Sequence, residues 1–530
     1  MKFFVQLAYV GLASLTTLAL PRGANAQRAS AAERATFYHL LNNDTLAIER
    51  ASRTNERLEG DILDKMRGVR VRYALTLGAN ATATAAETWL YRSASDTAAL
   101  QHATLRFQGD TIVVEIPGAP AVQRIPTQAG ALMYINPSAA ILEQALRRAR
   151  ALGGTSARIP LFQSAGGQTV PLEIAWIGTD SATLTLGGVV MRAAVTPDGK
   201  LLGFVVPSQN FRAVRVEGMR AAAMTPADYT APHGAPYTAR DVTIRTPAGI
   251  TLAGTLTVPI AHPARGAPAV VTITGSGTQD RDEAILGVNG FRPFRELADT
   301  LGRRGIAVLR LDDRGAGGSE MGPPGATSAD FADDIRAALA YLRTQKEIDG
   351  DRLGIVGHSE GGLIAPMIAA TDPRLRGIVL MAGPSRSGRT ILEYQQRYAV
   401  DSMAKLVGAP RDSAMQAMAR ALDSVAAAQP WLRFFADYDP IPTARRVRTP
   451  VLVLQGETDR QVTADQAQEL VAAFRAGGNR DVTVKLFPET NHLFLADPNG
   501  NPSGYATVPS KHVRREVLGT IADWLSAKLK

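Results

Sequence analysis

Cysteine is absent from this sequence of 530 residues. The absence excludes disulfide bonds, a thiolate nucleophile, cysteine-ligated zinc and a lipid-modified N-terminal cysteine. The chain must therefore be stabilised by its hydrophobic cores alone. Hydrophobic residues make up 45% of the chain and charged residues 20%, as is typical of a soluble globular protein, and the length predicts two or more domains.

Long apolar runs are confined to the N-terminus. Lys2 gives a basic start, residues 3–20 are mainly apolar, and Ala24-Asn25-Ala26 has the small-x-small form of a cleavage site. Residues 1–26 are therefore predicted to be a secretory signal peptide, with an N-terminal membrane anchor as the alternative. No later segment approaches eighteen uninterrupted apolar residues, so we expect an exported protein, periplasmic or extracellular, without stable membrane insertion after cleavage.

Clustered charge is also missing. The formal net charge is +9, but the arginines are scattered and no stripe of lysine and arginine alternates with aromatic residues. This pattern indicates a generally basic surface and excludes nucleic acid as the expected partner.

The sequence pattern of residues 27–220 differs from that of the rest of the chain and predicts a separate domain. Residues 31–65 are predicted to be helical, and a second helix is predicted from Asn136-Pro137 to Leu152, before Gly153-Gly154. Short strand-like runs joined by tight turns occupy most of the remainder. We therefore predict a smaller α+β domain with a mainly antiparallel sheet, or a small barrel, of unknown role. Residues 221–239, rich in Ala, Pro and Thr, are the predicted linker.

From residue 240 to 530 the pattern changes to strand, helix, strand, helix. The predicted strands are nearly continuous apolar runs, such as 269–274, 353–356 and 451–455. Such strands, alternating with helices, predict an α/β domain with a mostly parallel sheet covered by helices on both faces. Sheets of this kind place their chemistry beyond the carboxyl ends of the strands.

A serine lies in a predicted strand-to-helix turn of this second domain. Gly357-His358-Ser359-Glu360-Gly361 follows a predicted strand and precedes a predicted helix. In a G-x-S-x-G elbow the serine has a strained backbone and an exposed Oγ, and the flanking glycines Gly357 and Gly361 permit close backbone contact. Ser359 is therefore the predicted nucleophile.

A serine hydroxyl needs a base to take its proton, and the base needs a carboxylate to orient it. His492 follows the predicted strand 482–487 and is the predicted base, whereas His512 lies in a helical stretch where an exposed surface histidine is the plainer interpretation. Asp459 follows the penultimate strand and is the predicted orienting acid, with Glu457 as the alternative.

Two backbone N–H groups are expected to bind the negative oxygen of the reaction intermediate. One is the N–H of Glu360, directly after the nucleophile. The other is expected from the glycine-rich segment 274–277, with Ser276 favoured and Gly277 as the alternative. The segment lacks the Lys-Ser/Thr of a phosphate-binding loop.

Nearly seventy residues separate two of the predicted strands, far more than a short loop requires. We expect a helical cap at about residues 385–445. Six of its aromatic residues are candidates to line a substrate pocket or to pack the cap onto the core: Tyr394, Tyr398, Trp431, Phe434, Phe435 and Tyr438.

Five segments in order carry a family resemblance: ITGSGTQDRDE (273–283), LDDRGAGGSE (311–320), GHSEGG (357–362), PVLVLQGETDRQV (450–462) and FPETNHLF (487–494). On these motifs, residues 240–530 resemble the α/β-hydrolase superfamily and, within it, bacterial serine carboxylesterases of the EstD-like kind. The resemblance implies an α/β-hydrolase fold, cleavage of short acyl esters, a helical cap after the sixth strand, and Ser359, Asp459 and His492 as catalytic triad.

The predicted function is therefore that of an exported serine carboxylesterase acting on a small-molecule ester, without a metal or an organic cofactor. A serine peptidase or amidase of the same fold is the first alternative, because the same triad serves both reactions. A ligand-binding protein with a secondary hydrolase domain is the second alternative. The oligomeric state is not predicted.

Overall fold

A computed structural model describes residues 32–530, except 42, 43, 65–68, 92–95, 119, 120, 165, 166, 210, 217–227, 286, 287, 289 and 324. The predicted signal peptide and residues 221–227 of the predicted linker lie outside the described residues, so the prediction of export stays a prediction. Within the described part of the chain, no helix is both long enough and apolar enough to cross a membrane.

The N-terminal part forms one sheet of fifteen strands with a single parallel pair, β9 with β10. The spatial order is β8-β7-β6-β5-β4-β3-β2-β1-β15-β14-β13-β12-β11-β10-β9. The mainly antiparallel sheet predicted for this region is therefore confirmed. The strands are β1 (Glu33–Leu41), β2 (Asp44–Arg53), β3 (Arg57–Asp64), β4 (Arg70–Leu77), β5 (Ala83–Tyr91), β6 (Gln101–Gln108), β7 (Thr111–Glu115), β8 (Gln123–Pro126), β9 (Leu132–Tyr134), β10 (Ser156–Gln163), β11 (Gln168–Ile177), β12 (Ser181–Leu186), β13 (Val189–Val195), β14 (Leu201–Val206) and β15 (Phe211–Arg215).

Helix α1 (Ala139–Leu152) packs against this sheet and buries nine of its residues, seven of which belong to the apolar core of the domain. Ser138 caps its start by accepting a hydrogen bond from the backbone N–H of Ile141, and Gly153 follows its end with φ 76°. The helix predicted before Gly153-Gly154 is therefore confirmed, beginning at Ala139.

The helix predicted over residues 31–65 is wrong, because the structure has the antiparallel strands β1, β2 and β3 there. The region is rich in Ala, Leu, Glu and Arg, which favour helices locally. In β3, however, Leu58, Gly60 and Ile62 are buried at alternate positions, which is the period of a strand with one buried face. Pairing with neighbouring strands therefore overrides the local propensity.

A buried carboxylate joins the sheet to the start of α1. Glu49 of β2 is fully buried and accepts hydrogen bonds from the Tyr73 hydroxyl (2.6 Å), the Ser138 hydroxyl (2.5 Å) and the Ala139 N–H (2.7 Å). The Ala140 N–H and Nε2 of His39 lie 3.3 Å from one of its oxygens, Oε2. Burial by itself raises the pKa of Glu49, but the bonds and charge from these partners outweigh burial, so the pKa lies below its ordinary value.

The C-terminal part forms a second sheet, of eight strands, in the order β16-β17-β19-β18-β20-β21-β22-β23. Strand β17 runs antiparallel to both of its neighbours, and β18 to β23 are parallel. The strands are β16 (Tyr237–Arg245), β17 (Thr251–Pro259), β18 (Ala267–Ile273), β19 (Ala307–Leu311), β20 (Ile348–His358), β21 (Leu375–Met381), β22 (Val451–Gly456) and β23 (Val482–Phe487). Because β16 begins at residue 237, the last three residues of the predicted linker belong to this sheet.

Helices cover both faces of the second sheet, as the sequence predicts. Helices α3, α4 and α9 share one apolar core with the sheet, whereas α2 and α10 share the core on the opposite face. The helices are α2 (Pro293–Gly302), α3 (Ser328–Thr344), α4 (Glu360–Ala369), α5 (Gly388–Tyr398), α6 (Gly408–Ala428), α7 (Pro430–Asp437), α8 (Pro440–Ala444), α9 (Asp465–Ala476) and α10 (Arg515–Lys528).

The two cores explain the continuous apolar strands. Val270 and Val271 are neighbours in β18, and both are fully buried, but Val270 belongs to the core with α2 and Val271 to the core with α3. A strand that is buried on both faces needs apolar residues at every position. The sheet therefore forms a rigid platform whose carboxyl edge can hold side chains in fixed positions.

Four helices, α5 to α8, and a π-helical turn at Ala399–Met403 lie between β21 and β22. This is the segment in which the sequence predicts a helical cap. Phe435 of α7 is buried in the core shared with α3 and α4, and Trp431 packs against that core. The inserted helices are thus anchored beside the carboxyl edge of β20 by aromatic side chains.

The buried carboxylate of Glu49 generates a stability prediction. Glu49→Gln keeps the size of the side chain but removes its charge and replaces by an amide N–H one of two oxygens that each accept two hydrogen bonds. We expect a loss of about 2–3 kcal/mol in the free energy of unfolding of this domain at pH 7. Hydrogen exchange of the α1 amides measures this free energy.

The matched control is Glu59→Gln, in which an exposed carboxylate paired with Arg57 is neutralised and about 0.5 kcal/mol or less is lost. Because the pKa of Glu49 is lowered in the folded protein, its contribution is present above the ordinary glutamate range and is lost as the pH falls through the lowered value. Equal exchange of wild type and Glu49→Gln at pH 7 would contradict this role.

Candidate active site

Ser359 occupies a strained turn between β20 and α4. Its backbone has φ 52° and ψ −115°, and its N–H donates to the carbonyl of Met381 on the neighbouring strand (2.8 Å). A Cβ on Gly357 would lie 2.1 Å from the carbonyl oxygen of Gly361, and a Cβ on Gly361 would lie 2.2 Å from the carbonyl oxygen of Ile273. The backbones cross so closely that only glycine fits, and the left-handed serine is held by this packing.

His492 and Asp459 are brought together from two different loops. Asp459 follows β22, His492 follows β23, and Nδ1 of His492 lies 2.7 Å from Oδ2 of Asp459. Both side chains are buried, with 4% and 2% of their surface exposed. The hydrogen bond is therefore shielded from water, which strengthens it relative to an exposed pair.

Asp459 is fixed by three further donors. Its Oδ1 accepts the backbone N–H groups of Gln461 (2.7 Å) and Val462 (3.0 Å), and its Oδ2 accepts the side-chain amide of Gln455 (2.8 Å). An ionised carboxylate only accepts hydrogen bonds, so Nδ1 of His492 carries the proton between them. Nε2 of a neutral His492 is then left with a lone pair, which is the form of a general base.

The elbow and the His492 loop meet through His358, the residue before Ser359. Nε2 of His358 lies 2.9 Å from the carbonyl oxygen of His492, and the two imidazole rings are 4.9 Å apart between centroids. This contact holds the loop that carries His492 against the carboxyl end of β20, beside the elbow. The structure therefore gathers the predicted nucleophile, base and acid at one edge of the sheet.

The glycine-rich segment after β18 forms the other wall beside the serine. A Cβ on Gly275 would lie 3.3 Å from Cβ of Ser359, so this backbone passes directly alongside the nucleophile. The N–H of Gly275 already donates to Oε1 of Glu283 (2.7 Å). Ser276 is exposed, and Gly277 has φ 103° and lines a cavity. Both stay candidates for the second donor to an oxyanion, beside the N–H of Glu360 at the start of α4.

A cavity of about 290 Å³ adjoins this segment. Its walls come from the loops after β18 and β19, from α3 and α4, and from Trp431 of α7. Trp431, one of the six predicted pocket aromatics, therefore lines the cavity, and Phe435 stacks behind it with ring centroids 5.6 Å apart. The apolar members of the wall are Leu252, Ile273, Leu311, Phe331, Ile335, Ile364 and Trp431.

Four acidic residues line the same cavity: Asp312 and Asp334, which pair with arginines, and Asp313 and Glu360. Oε1 of Glu360 accepts hydrogen bonds from the Ser328 hydroxyl (2.6 Å) and from Nε1 of Trp431 (2.9 Å). Asp313 accepts the Thr274 hydroxyl (2.8 Å). Burial, followed by the negative charges of Glu283 and Glu360, holds the pKa of Asp313 well above its usual range. Asp313 thus stays protonated to a higher pH than an ordinary aspartate.

Ion pairs hold the loops around the site in place. Arg281 pairs with Asp312 (2.7 Å), and Arg314 pairs with Asp334 (2.6 Å). The rejected candidate His512 is 78% exposed in its side chain. In the part of the chain that the structure describes, no group of three or more His, Cys, Asp or Glu side chains is arranged to hold a metal ion.

The sequence did not predict the contact between His358 and Glu283. Nδ1 of His358 lies 2.7 Å from Oε1 of Glu283, and both side chains are buried. Both residues lie inside conspicuous motifs, at 357–362 and 273–283. Only the three-dimensional structure joins them, because 75 positions separate them in the sequence.

The chain was compared with known proteins. Residues 288–499 match the family described as serine aminopeptidase, S33. Esterase EstD of Thermotoga maritima is 28% identical over 307 residues, which cover 56% of this chain and 69% of that protein. Dipeptidyl aminopeptidase BIII of Pseudoxanthomonas mexicana is 27% identical over 240 residues, and the match spans 31% of its length. The solved esterase Pf2001 of Pyrococcus furiosus superposes with a TM-score of 0.39 at 17% identity, covering 58% of this chain and 96% of that one.

The elbow generates a prediction about backbone packing. Gly357→Ala places a methyl group against the Gly361 carbonyl, so the strand or the helix must move. We expect a loss of stability of about 3 kcal/mol or more and a fall in activity. Thermal denaturation measures the first effect and a hydrolase assay measures the second.

Gly519→Ala is the matched control, because Gly519 lies within α10 and a Cβ there meets no atom within 4 Å. This control gains about 0.5–1 kcal/mol from helix propensity and keeps full activity. An unchanged melting temperature and activity in Gly357→Ala would show that the elbow has room for a methyl group at this position, which contradicts the close packing of Gly357 against Gly361.

Proposed function

Because residues 237–530 form a serine hydrolase of the α/β-hydrolase family, we propose that this chain hydrolyses carboxylic esters with Ser359 as nucleophile, His492 as general base and Asp459 as orienting acid. The observation that carries the proposal is the buried hydrogen bond between His492 and Asp459 at the sheet edge where Ser359 occupies its strained elbow.

The first half of the reaction forms an acyl-enzyme. Nε2 of His492 takes the hydroxyl proton while Oγ of Ser359 attacks the ester carbonyl carbon. The carbonyl oxygen becomes negative and is bound by the N–H of Glu360 and by a second N–H, that of Ser276 or Gly277. His492 then returns the proton to the leaving alcohol, and the C–O bond breaks.

The second half releases the acid. Water enters, His492 removes its proton, and the resulting hydroxide attacks the acyl carbon. The proton then passes from His492 to Oγ of Ser359 as the carboxylic acid leaves. Asp459 stabilises the imidazolium in both halves by accepting the hydrogen bond from Nδ1, without itself taking the proton.

Two observations favour an ester with a small acyl group. A relative that matches over 307 residues is named as an esterase. The cavity beside the elbow has about 290 Å³ and walls that are largely aliphatic and aromatic side chains, which suit a short hydrocarbon chain. The wall of the cavity includes Gly275 and Glu360, which are neighbours of Ser359.

A second candidate function is cleavage of aminoacyl amides, as in a serine peptidase. The matched family is described as an aminopeptidase and one relative is named as a dipeptidyl aminopeptidase. In addition, the Glu360 carboxyl group in the cavity wall could pair with a positively charged amino group. A substrate panel separates the candidates, since the triad alone serves both.

The proposal predicts which substitutions abolish activity. Ser359→Ala and His492→Ala should each lower kcat on p-nitrophenyl butyrate by about 10⁴-fold or more, with Asp459→Asn close behind. The folded state should persist, as circular dichroism can check. The wild type should turn over short acyl esters faster than aminoacyl p-nitroanilides.

His512→Ala is the matched control, because it removes an exposed histidine of the same domain and should leave kcat unchanged. Retention of most of the esterase activity by Ser359→Ala would refute the proposed nucleophile. Faster turnover of aminoacyl anilides than of esters, lost in Glu360→Gln, would move the conclusion to the peptidase.

A further inference from the structure

His358 is a buried imidazole with hydrogen-bond partners on both ring nitrogens. Its side chain is 5% exposed and lies among the carboxyl group of Glu283, the backbone and ring of His492, and the ring of Phe494. It precedes the nucleophile, yet the proposed reaction assigns it no chemistry. The state of its two protons can be worked out from its partners.

The Nε2 atom carries a proton, because its partner, the carbonyl oxygen of His492 at 2.9 Å, can only accept. The Nδ1 atom lies 2.7 Å from Oε1 of Glu283, so one proton must lie between these two atoms as well. It belongs either to the imidazole, giving an ion pair, or to the carboxyl group, giving a neutral pair.

The surroundings of Glu283 favour the ion pair. Oε1 also accepts the N–H of Gly275 (2.7 Å), which a protonated Oε1 would do poorly. Oε2 is buried with no hydrogen-bond partner among the described residues, so a proton on Oε2 would be a donor without an acceptor. The arrangement is therefore best satisfied by a carboxylate at Glu283 and an imidazolium at His358.

We propose that His358 is a protonated positioning residue, paired with Glu283, whose positive charge faces His492 and keeps that base unprotonated at mildly acidic pH. The proposal rests on the proposed function, since it assumes that His492 is the general base. His358 and Glu283 together would set the pH below which the hydrolase activity falls.

The charges around His358 support this assignment. Burial lowers its pKa, but the charge and hydrogen bond of Glu283, the His492 carbonyl and the charge of Asp459 together raise the pKa above the ordinary value. Asp459 and His492 face it from the loops after β22 and β23, and Asp313 faces Glu283 from the loop after β19. His358 therefore stays protonated until the pH rises through its raised pKa, and up to that pH its ion pair with Glu283 stabilises the folded protein.

Two imidazole rings 4.9 Å apart cannot both become cations without repulsion. With His358 already charged, protonation of His492 by solvent is disfavoured, and the base remains competent at lower pH. Glu283 lies on the far side of His358, so the positive end of the pair points at His492. The Glu283 carboxylate also accepts the N–H of Gly275, so the charge pair helps to hold the glycine-rich segment beside Ser359.

The central test is Glu283→Gln. Gly275 and His358 both contact the same oxygen, Oε1, so a glutamine keeps one of these two contacts: its amide oxygen accepts from Gly275, or its N–H donates to a neutral His358. In either case the carboxylate charge that stabilises the imidazolium is removed. We expect the acid limb of the kcat/KM profile on p-nitrophenyl butyrate to move up by about 1 pH unit, with the plateau value within about tenfold of wild type. His358→Gln should move the limb in the same direction, and the double variant should move it no further.

The matched control is Asp372→Asn, which breaks the ion pair with Arg343 at the opposite edge of the sheet. It should lower stability without moving the pH profile. An acid limb that stays in place in Glu283→Gln, while Ser359→Ala is inactive, overturns this inference and leaves the proposed function intact. An active Ser359→Ala overturns the proposed function instead.

A second readout does not depend on activity. With histidine ring nitrogens labelled with ¹⁵N, the signals lost in His358→Gln identify this residue. Both of its nitrogens should show the shifts of protonated imidazolium at pH 7.5, and one should become unprotonated in Glu283→Gln. A neutral ring in the wild type at pH 7.5 overturns the inference.

Discussion

The hydrogen bond between Asp459 and His492 is the interaction on which the proposed chemistry of this chain depends. It is short, it is shielded from water, and the aspartate receives three further hydrogen bonds that prevent its rotation. One ring nitrogen of His492 is thereby fixed as a donor, and the other is left as a base. The sheet, its two cores and the inserted helices supply the rigid frame in which this bond is held beside Ser359.

The side chains of the candidate site meet at one edge of the sheet because each follows a different parallel strand. The serine follows β20, the aspartate β22, the histidine β23 and the glycine-rich wall β18, and all four strands are parallel. Close backbone crossings lock the serine turn, while buried charge pairs such as Arg281 with Asp312 hold the surrounding loops. Strain at Ser359 is sustained because the cores on both faces over-determine its position.

The sequence places these residues at one edge because Ser359 directly follows a buried strand, and Asp459 and His492 lie in the loops after two later strands, β22 and β23. Sequence patterns predict the N-terminal region less well: residues 31–65 have helix-forming composition, and only the pairing of β1 to β3 in a fifteen-stranded sheet decides against the helix. The pair His358–Glu283 and the buried cluster around Glu49 could not be predicted from the sequence either. Their members lie far apart in the sequence and carry no periodic signal, so only packing brings them together.

Reaction with a fluorophosphonate is the sharpest test of Ser359 as an activated nucleophile, because the reagent modifies a serine only when a neighbouring base activates it. The tryptic peptide 353–374 contains one serine, Ser359. We expect one phosphonyl group per chain, located on this peptide by mass spectrometry, and no labelling of His492→Ala in the same time. Labelling at another residue, or equal labelling of His492→Ala, would contradict this assignment.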